Sequence, residues 1–197
     1  MQDGHAWLPT AAARGATLAL VEDAAAAQAA ALPAIVVRDG RRAAAVVAAA
    51  FYGWPARALT MLAVTGTNGK TTTVGLLRHL LDAPGRLAAS IGTLGVLLGS
   101  AGDPMPGGGG LTTPGPVELQ RVLRALVDRG VRTVTMEVSS HSLDQRRVDG
   151  LSFAAAVFTN LTRDHLDYHG SMVEYGAAKR SLFTRSMPLG VFNIDDD

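Results

Sequence analysis

The 197-residue chain has no cysteine, no long apolar run and no block of like charge. Without cysteine, disulfide bonds, zinc–thiolate sites and a thiol nucleophile are excluded. The alanine-rich stretches at 24–31 and 43–50 are interrupted well before the roughly 20 apolar residues that a membrane-spanning helix needs. The formal net charge is +1, so neither a nucleic acid nor a membrane surface is indicated as a partner. Because the N-terminus has no basic region followed by an apolar segment, it is not a secretory signal, and the cytoplasm is the expected location.

Lysine is also scarce in this sequence. The chain has 18 basic residues, of which only two, Lys70 and Lys179, are lysines. A lysine amine can be deprotonated and chemically modified, whereas arginine keeps its charge. A lysine on a helix is usually only a solvated charge. Here the preference for arginine elsewhere suggests that function retains lysine at these two positions.

Apolar runs alternate with helical patterns along the chain. This alternation predicts an α/β fold with a mostly parallel sheet flanked by helices. Tyr52–Pro55 interrupts the pattern and is the best candidate for a linker. Two prolines and four consecutive glycines predict a loop over 104–110. The expected strands are 17–22, 34–38, 61–64, 132–138, 154–159 and 191–194, and the expected helices are 24–31, 41–51, 70–81, 117–129 and 172–183.

A glycine-rich segment at 63–72 joins a predicted strand to a predicted helix. Its glycines let successive backbone N–H groups turn inward, and the start of the helix adds the positive end of its dipole. Lys70 would supply a charge for the β- and γ-phosphates, and the Thr71 hydroxyl would ligate Mg²⁺. The strict phosphate-loop pattern requires glycine at position 64, where Val64 stands, so Gly66 takes that role. The alternative is a glycine turn that only caps the helix.

Two further segments place ionisable side chains after buried strands. Glu137 ends one strand, and Asp164, His165 and His169 follow another. In open α/β sheets, ligands bind at the carboxyl ends of the strands, where an acid can hold a metal and a neutral imidazole can ligate one. The alternatives are a solvated glutamate, surface histidines and an aspartate that caps the next turn.

Together these segments resemble the Mur ligases of peptidoglycan synthesis, most closely the members that add the third peptide residue. The phosphate loop alone also fits other ATP-dependent amide ligases, such as folylpolyglutamate and cyanophycin synthetases. The stretches around Glu137 and His165 are more specific. A further alternative is a nucleotide- or UDP-sugar-binding module without catalytic activity. The segments that carry the resemblance are 64–73, 111–114, 136–141, 146–150, 158–170 and 177–179.

The resemblance implies three domains, of which this chain would contain two in part. Residues 1–56 would be the remnant of an N-terminal UDP-binding α/β domain. Residues 57–197 would be the central ATP-binding domain, a P-loop-type sheet that is incomplete at its C-terminal end. The C-terminal domain, which selects the incoming amino acid, would be absent. We therefore expect a monomer without ligase turnover by itself.

The resemblance also implies a role for each candidate site residue. The reaction would join an amino acid, either diaminopimelate or lysine, to UDP-N-acetylmuramoyl-L-alanyl-D-glutamate through an acyl phosphate at the expense of ATP. Lys179 matches a family lysine that reacts with CO₂ to form a carbamate, which suits Mg²⁺ as an oxygen ligand. The catalytic residues would be Lys70, Lys179, Glu137 and His165. The residues that would bind ATP are Gly66, Thr67, Asn68, Gly69, Lys70, Thr71 and Thr72. The metal would be bound by Thr71, Glu137, His165 and the Lys179 carbamate. The muramoyl dipeptide would be bound by Thr112, Thr113, Ser139, Gln145 and Arg147.

Overall fold

The computed structural model describes residues 3–185 and 187–195. The outermost residues of the two expected domains, 1–2 and 196–197, lie outside the described residues. The first part of the chain forms a two-stranded parallel sheet with its own helices. Its elements are a 3₁₀ helix Gly4–Trp7, α1 Leu8–Ala13, β1 Ala19–Val21, α2 Ala24–Ala29, β2 Ala34–Val36 and α3 Gly40–Phe51.

Aspartate caps define where two helices of this first unit begin. The Asp23 carboxylate accepts a hydrogen bond from Ala25 N, and the Asp39 carboxylate accepts one from Arg42 N. Each satisfies a backbone donor that the first helical turn leaves unpaired. A small apolar cluster underneath, Leu8, Val21, Ala27 and Leu32, is buried separately from the larger core.

The rest of the chain builds a seven-stranded sheet in the order β6-β5-β4-β7-β3-β8-β9. Five neighbouring strands, β4, β7, β3, β8 and β9, run parallel, and β5 and β6 add an antiparallel hairpin at one edge. Its elements are a 3₁₀ helix Pro55–Ala58, β3 Thr60–Thr65, α4 Lys70–Leu81, β4 Ala88–Gly92, β5 Gly95–Leu98, β6 Asp103–Met105, α5 Pro116–Asp128, β7 Thr133–Glu137, α6 Ser140–Asp144, β8 Ala155–Phe158, α7 Leu166–His169, α8 Met172–Arg180 and β9 Leu189–Phe192.

Burial of the central strands follows from helices covering both faces of the sheet. Every residue of β4 and of β7 is buried, as expected for parallel strands inside an α/β fold. On α5, Leu119, Leu123 and Leu126 form an apolar stripe that packs into the main core. The predicted α/β fold with a mostly parallel sheet is confirmed.

The sheet order brings the candidate site residues to one edge. β3 lies between β7 and β8, so the chain switches sides of the sheet around β3. Val64 pairs with Glu137, and Thr65 pairs with Phe158. The carboxyl ends of three strands therefore meet beside the glycine-rich loop, at the crevice where open α/β sheets bind ligands.

The predicted loop over 104–110 is wrong at its start. Asp103–Met105 forms β6, which pairs with β5 despite Pro104. An edge strand tolerates proline because its outward N–H needs no partner in the sheet. The strands β4 and β5 were also not predicted, since they are short and joined by a two-residue turn. In the described part of the chain, no helix is both long enough and apolar enough to cross a membrane.

We predict that Leu123→Ala lowers the free energy of unfolding by about 2–5 kcal/mol, because the substitution leaves a cavity in the main core. Leu123 is fully buried, whereas Leu80 on α4 is 74% exposed. The matched control, Leu80→Ala, is expected to change the stability by less than about 0.5 kcal/mol. Urea denaturation followed by circular dichroism measures both variants. Equal losses would contradict the placement of α5 on the sheet.

Candidate active site

The glycine-rich loop is held against the chain that follows β8. Gly66 has φ +145° and Gly69, which precedes α4, has φ +85°. A Cβ on Gly66 would overlap the hydroxyl of Thr159. That hydroxyl donates to Asn68 O at 2.6 Å, and Asn68 N donates to the side-chain oxygen of Asn160 at 2.9 Å. The loop is therefore a built cradle that a side chain at position 66 would fill, which exceeds what a simple helix cap requires.

Lys70 reaches back over the loop from the first turn of α4. Its Nζ donates to Gly66 O at 2.9 Å and to Thr67 O at 2.7 Å. Burial lowers the pKa of Lys70, although the carboxylates of Glu137 and Asp164 act in the opposite direction. The ammonium group is thus fixed at the mouth of the loop, where a phosphate would need it.

Lys179 approaches the same carbonyl group from α8. Its Nζ donates to Gly66 O at 2.7 Å, and the residue is 2% exposed. Burial lowers the pKa of Lys179 to about 7, with a further contribution from the charge of Lys70. Burial therefore favours the neutral form of this amine far more than at an ordinary surface lysine. The structure brings the two lysines of the sequence together.

Tyr175 connects Lys179 to the loop and was not singled out from the sequence. Its ring lies 4.4 Å from Lys179 Nζ, and its hydroxyl is 3.0 Å from Thr67 Oγ1. Tyr175 is fully buried, and burial raises the pKa of its hydroxyl. In the sequence its spacing of four residues from Lys179 looks the same as ordinary helix packing.

Glu137 is surrounded by donors at the end of β7. It is 1% exposed, and its Oε1 accepts hydrogen bonds at 2.9 Å from Thr71 Oγ1 and from Thr93 N. A Cβ on Gly92 would overlap the Glu137 carboxylate, so glycine makes room for it. The predicted pair of Thr71 and Glu137 is brought together. Thr93 and Gly92 were missed because they lie at the end of β4, which was not predicted.

The five predicted substrate residues form a continuous set of contacts from Glu137 to Tyr168. Thr93 Oγ1 donates to Thr112 Oγ1 at 3.2 Å, and Thr113 Oγ1 donates to Glu137 O at 2.9 Å. Ser139 N donates to Thr113 Oγ1 at 3.1 Å. The loop before α5 is thus attached directly to the end of β7.

Arg147 closes this set on the side of α6. Its Nη1 donates to Thr113 O at 2.8 Å, and its Nε and Nη2 donate to Gln145 Oε1 at 3.0 and 2.6 Å. Gln145 Nε2 in turn donates to the hydroxyl of Tyr168 at 3.1 Å. Burial lowers the pKa of Arg147, but arginine stays charged at neutral pH. The guanidinium group offers a fixed cation for an anionic ligand.

His165 lies in an aromatic cluster with His141, Tyr168, His169 and Tyr175. Its ring is 4.8 Å from that of His141 and 6.1 Å from that of Tyr175, and its Nε2 is 3.5 Å from Asp164 Oδ2. His169 is buried and contacts the Ser140 hydroxyl at 3.0 Å. Across residues 3–185 and 187–195, no three His, Asp or Glu side chains converge in a way that could hold a metal ion. Of the metal set expected from the sequence, Thr71 and Glu137 are in direct contact, whereas the roles of His165 and Lys179 toward a metal stay predictions.

A cleft of about 920 Å³ opens between α3 and α8 and is lined by several charged side chains. Tyr168 and His169 line it, but the glycine-rich loop does not. The cleft is thus separate from the place where the lysines and Glu137 converge, and size alone does not identify the candidate site.

The fold and the glycine-rich loop define an α/β domain of the phosphate-loop type. Residues 64–197 match the Mur ligase middle domain, and the chain belongs to that family. It is 53% identical over 147 residues to the UDP-N-acetylmuramoyl-L-alanyl-D-glutamate–2,6-diaminopimelate ligase of Xanthomonas campestris pv. campestris (strain 8004), covering 74% of this chain and 29% of that protein. It is 47% identical over 198 residues to the ligase of the same name from Ectopseudomonas mendocina (strain ymp), and this match covers 99% of this chain and 40% of that protein.

A solved structure of a UDP-N-acetylmuramoyl-L-alanyl-D-glutamate–2,6-diaminopimelate ligase is also similar to this chain. The TM-score is 0.70 at 29% sequence identity, and the match covers 93% of this chain and 42% of that one. This chain thus spans 29% to 40% of the length of the two curated relatives described above.

We predict that Gly66→Ala destabilises the chain by about 1–3 kcal/mol, because the new Cβ meets the Thr159 hydroxyl and forces the loop out of its conformation. Gly75→Ala is the matched control, since Gly75 lies inside α4 and a Cβ there meets nothing within 4 Å. Alanine is the better helix former, so this variant is expected to gain about 0.5–1 kcal/mol. Urea denaturation compares the two. A neutral Gly66→Ala would contradict the described contact between the loop and Thr159.

Proposed function

We propose that this chain is the nucleotide- and acceptor-binding part of an ATP-dependent, ADP-forming amide ligase. The ligase adds the third amino acid to UDP-N-acetylmuramoyl-L-alanyl-D-glutamate in peptidoglycan synthesis. The observation that carries the proposal is that Lys70 and Lys179 both donate to Gly66 O, while Thr71, the residue after Lys70, donates to Glu137. Membership of the Mur ligase family supports it.

ATP and Mg²⁺ fit the residues around the loop. The cradle at 66–72 offers backbone donors and the start of α4 to the phosphates, and Lys70 adds a fixed cation. Thr71 and Glu137 offer a hydroxyl and a carboxylate, which are the hard oxygen ligands that Mg²⁺ prefers. We propose that His165 and a carbamate on Lys179 serve the metal as well. When bound, Mg²⁺ neutralises the charge that develops during phosphoryl transfer.

The acceptor is proposed to lie along the contacts from Thr112 to Arg147. Arg147 is suited to bind a carboxylate of the muramoyl dipeptide through charge-assisted hydrogen bonds. Thr112, Ser139 and Gln145 supply further polar groups beside it. In the proposed reaction the D-glutamyl carboxylate accepts the γ-phosphoryl group and becomes an acyl phosphate. The amine of the incoming amino acid then attacks the carbonyl carbon, and phosphate leaves as the amide forms.

We propose diaminopimelate, rather than lysine, as the amino acid that is added. Both curated relatives described above are named for 2,6-diaminopimelate. We further propose that residues 1–56 belong to a UDP-binding domain and residues 57–197 to the ATP-binding domain. The separate sheet and apolar cluster of the first unit support this division. The cytoplasmic location and the monomeric state stay predictions.

Lys179 is proposed to carry CO₂ as a carbamate. The neutral amine attacks the carbon of CO₂, a proton leaves the nitrogen, and a cation is replaced by an anionic oxygen ligand. A pKa of about 7 favours this reaction because only the unprotonated amine has a lone pair. Arginine at this position would stay protonated and could not react.

The proposed function predicts two binding sites, one for ATP and one for the muramoyl dipeptide, and a single substitution should weaken binding at one without affecting the other. Lys70→Met is expected to weaken the binding of ATP in the presence of Mg²⁺ by about tenfold or more, because a charge-assisted contact is lost. Arg147→Met is expected to weaken the binding of UDP-N-acetylmuramoyl-L-alanyl-D-glutamate by about the same factor and to leave ATP binding unchanged. Isothermal titration calorimetry on the 197-residue chain measures both affinities.

A folate monoglutamate serves as the competing acceptor in the same titrations. We expect it not to bind, and binding of the folate in place of the muramoyl dipeptide would favour a folylpolyglutamate-type ligase. Binding of nucleotide without any acceptor would favour a non-catalytic nucleotide-binding module.

Carbamate formation can be observed without enzymatic turnover. With ¹³C-labelled bicarbonate and CO₂, we expect a ¹³C NMR carbamate signal that disappears in Lys179→Arg and persists in Lys70→Arg. At a fixed partial pressure of CO₂, the signal should rise with pH through about 7, the pKa of Lys179, because deprotonation supplies the reactive amine. A signal that is the same in both variants would exclude the carbamate on Lys179.

A further inference from the structure

Arg146 has a backbone conformation that is unusual for its residue type. It follows α6, in the turn before Gly150, and its φ is +55°. In this left-handed region a side chain other than glycine crowds the backbone, so the conformation costs free energy unless neighbouring contacts hold it.

Two carboxylates pair with the Arg146 guanidinium. Its Nε lies 2.6 Å from Asp39 Oδ2, and its Nη1 lies 3.3 Å from Asp149 Oδ2. Asp149 is buried, and its other oxygen pairs with Arg185 Nη2 at 2.6 Å. Asp39 belongs to the first unit, where its second oxygen caps α3. An isolated exposed ion pair contributes little, but here a buried carboxylate lies between two guanidinium groups.

Arg147 follows directly after this left-handed residue. Arg147 N donates to Ser142 O at 2.9 Å, and Asp149 N donates to Arg146 O at 3.1 Å, which closes the turn. The Arg147 guanidinium then reaches Thr113 O and Gln145 Oε1. The ion pairs of Arg146 and the hydrogen bonds of Arg147 are therefore made by adjacent residues.

We propose that Arg146 and Asp39 are positioning residues: with Asp149, their ion pairs hold the left-handed turn that aims Arg147 at Thr113 and Gln145. What Arg147 binds, the muramoyl dipeptide, rests on the proposed function, whereas its orientation does not. The orientation of Arg147 requires the left-handed turn and does not require the Arg146 guanidinium itself. Glycine adopts a positive φ freely, so it should replace Arg146 without loss.

Four variants of the 197-residue chain test this inference. Asp39→Asn removes the charge but keeps the cap of α3, because asparagine caps helices as well as aspartate. Arg146→Ala removes the ion pairs and keeps the strain, Arg146→Gly removes both, and the fourth variant combines Asp39→Asn with Arg146→Gly. The matched control is Asp23→Asn, which changes the aspartate cap of α2. The readouts are the ¹H–¹⁵N NMR signal of Arg147 Nε–H without ligand and the affinity for UDP-N-acetylmuramoyl-L-alanyl-D-glutamate.

We expect Asp39→Asn and Arg146→Ala to move the Arg147 signal towards that of a free guanidinium. Both should weaken the affinity by about threefold to fivefold, the size of one lost ion pair. Arg146→Gly should keep both readouts near those of the parent chain, and Asp39→Asn should have no further effect in the Arg146→Gly background. Asp23→Asn should change neither readout.

An Arg147 signal that is unchanged in both Asp39→Asn and Arg146→Ala would overturn the inference. So would an equal loss from Asp39→Asn with and without Arg146→Gly, because Asp39 would then act by another route. If the parent chain shows the ordered Arg147 signal but does not bind the dipeptide, the proposed function fails and the positioning is judged on the signal alone. If Arg146→Ala unfolds the chain, the effect of Asp39→Asn in the parent chain, compared with its effect in the Arg146→Gly background, still tests the inference.

Discussion

The carbonyl oxygen of Gly66 accepts hydrogen bonds from both lysines of the sequence, and the candidate site depends on this convergence. Two ammonium groups on one buried acceptor repel each other, and removal from water penalises both charges. Burial, with a further contribution from the charge of Lys70, lowers the pKa of Lys179 to about 7. Burial beside the loop, together with the charge of Lys70, therefore favours the neutral form of the second lysine.

Gly66 also explains why the loop departs from the strict glycine pattern. Val64 is buried in β3, where an apolar side chain packs well. The close approach occurs two residues later, where the Gly66 backbone lies against Thr159 and a side chain would collide with it. The position that requires glycine is thus set by the contact with the chain after β8. Tyr175 then joins α8 to the same loop through Thr67.

How much could be predicted from the sequence depended on how local the signal was. The helix Lys70–Leu81 was predicted to the residue because the glycine-rich segment marks where it begins. Glu137 was found because it ends an apolar strand beside the loop. Thr93 and Tyr175 were missed for a physical reason: their importance comes from partners more than 40 residues away along the chain. Neither spacing nor residue type reveals such partners.

A carbamate on Lys179 would invert the electrostatics at Gly66. The repulsion between Lys179 and Lys70 would become an attraction between a carbamate and an ammonium group, at the same short range and in the same buried position. Lys70 would then stabilise the modification whose formation its own charge favours, because that charge helps to lower the pKa of Lys179. Arginine at position 179 would keep the repulsion permanently, since it cannot lose its proton.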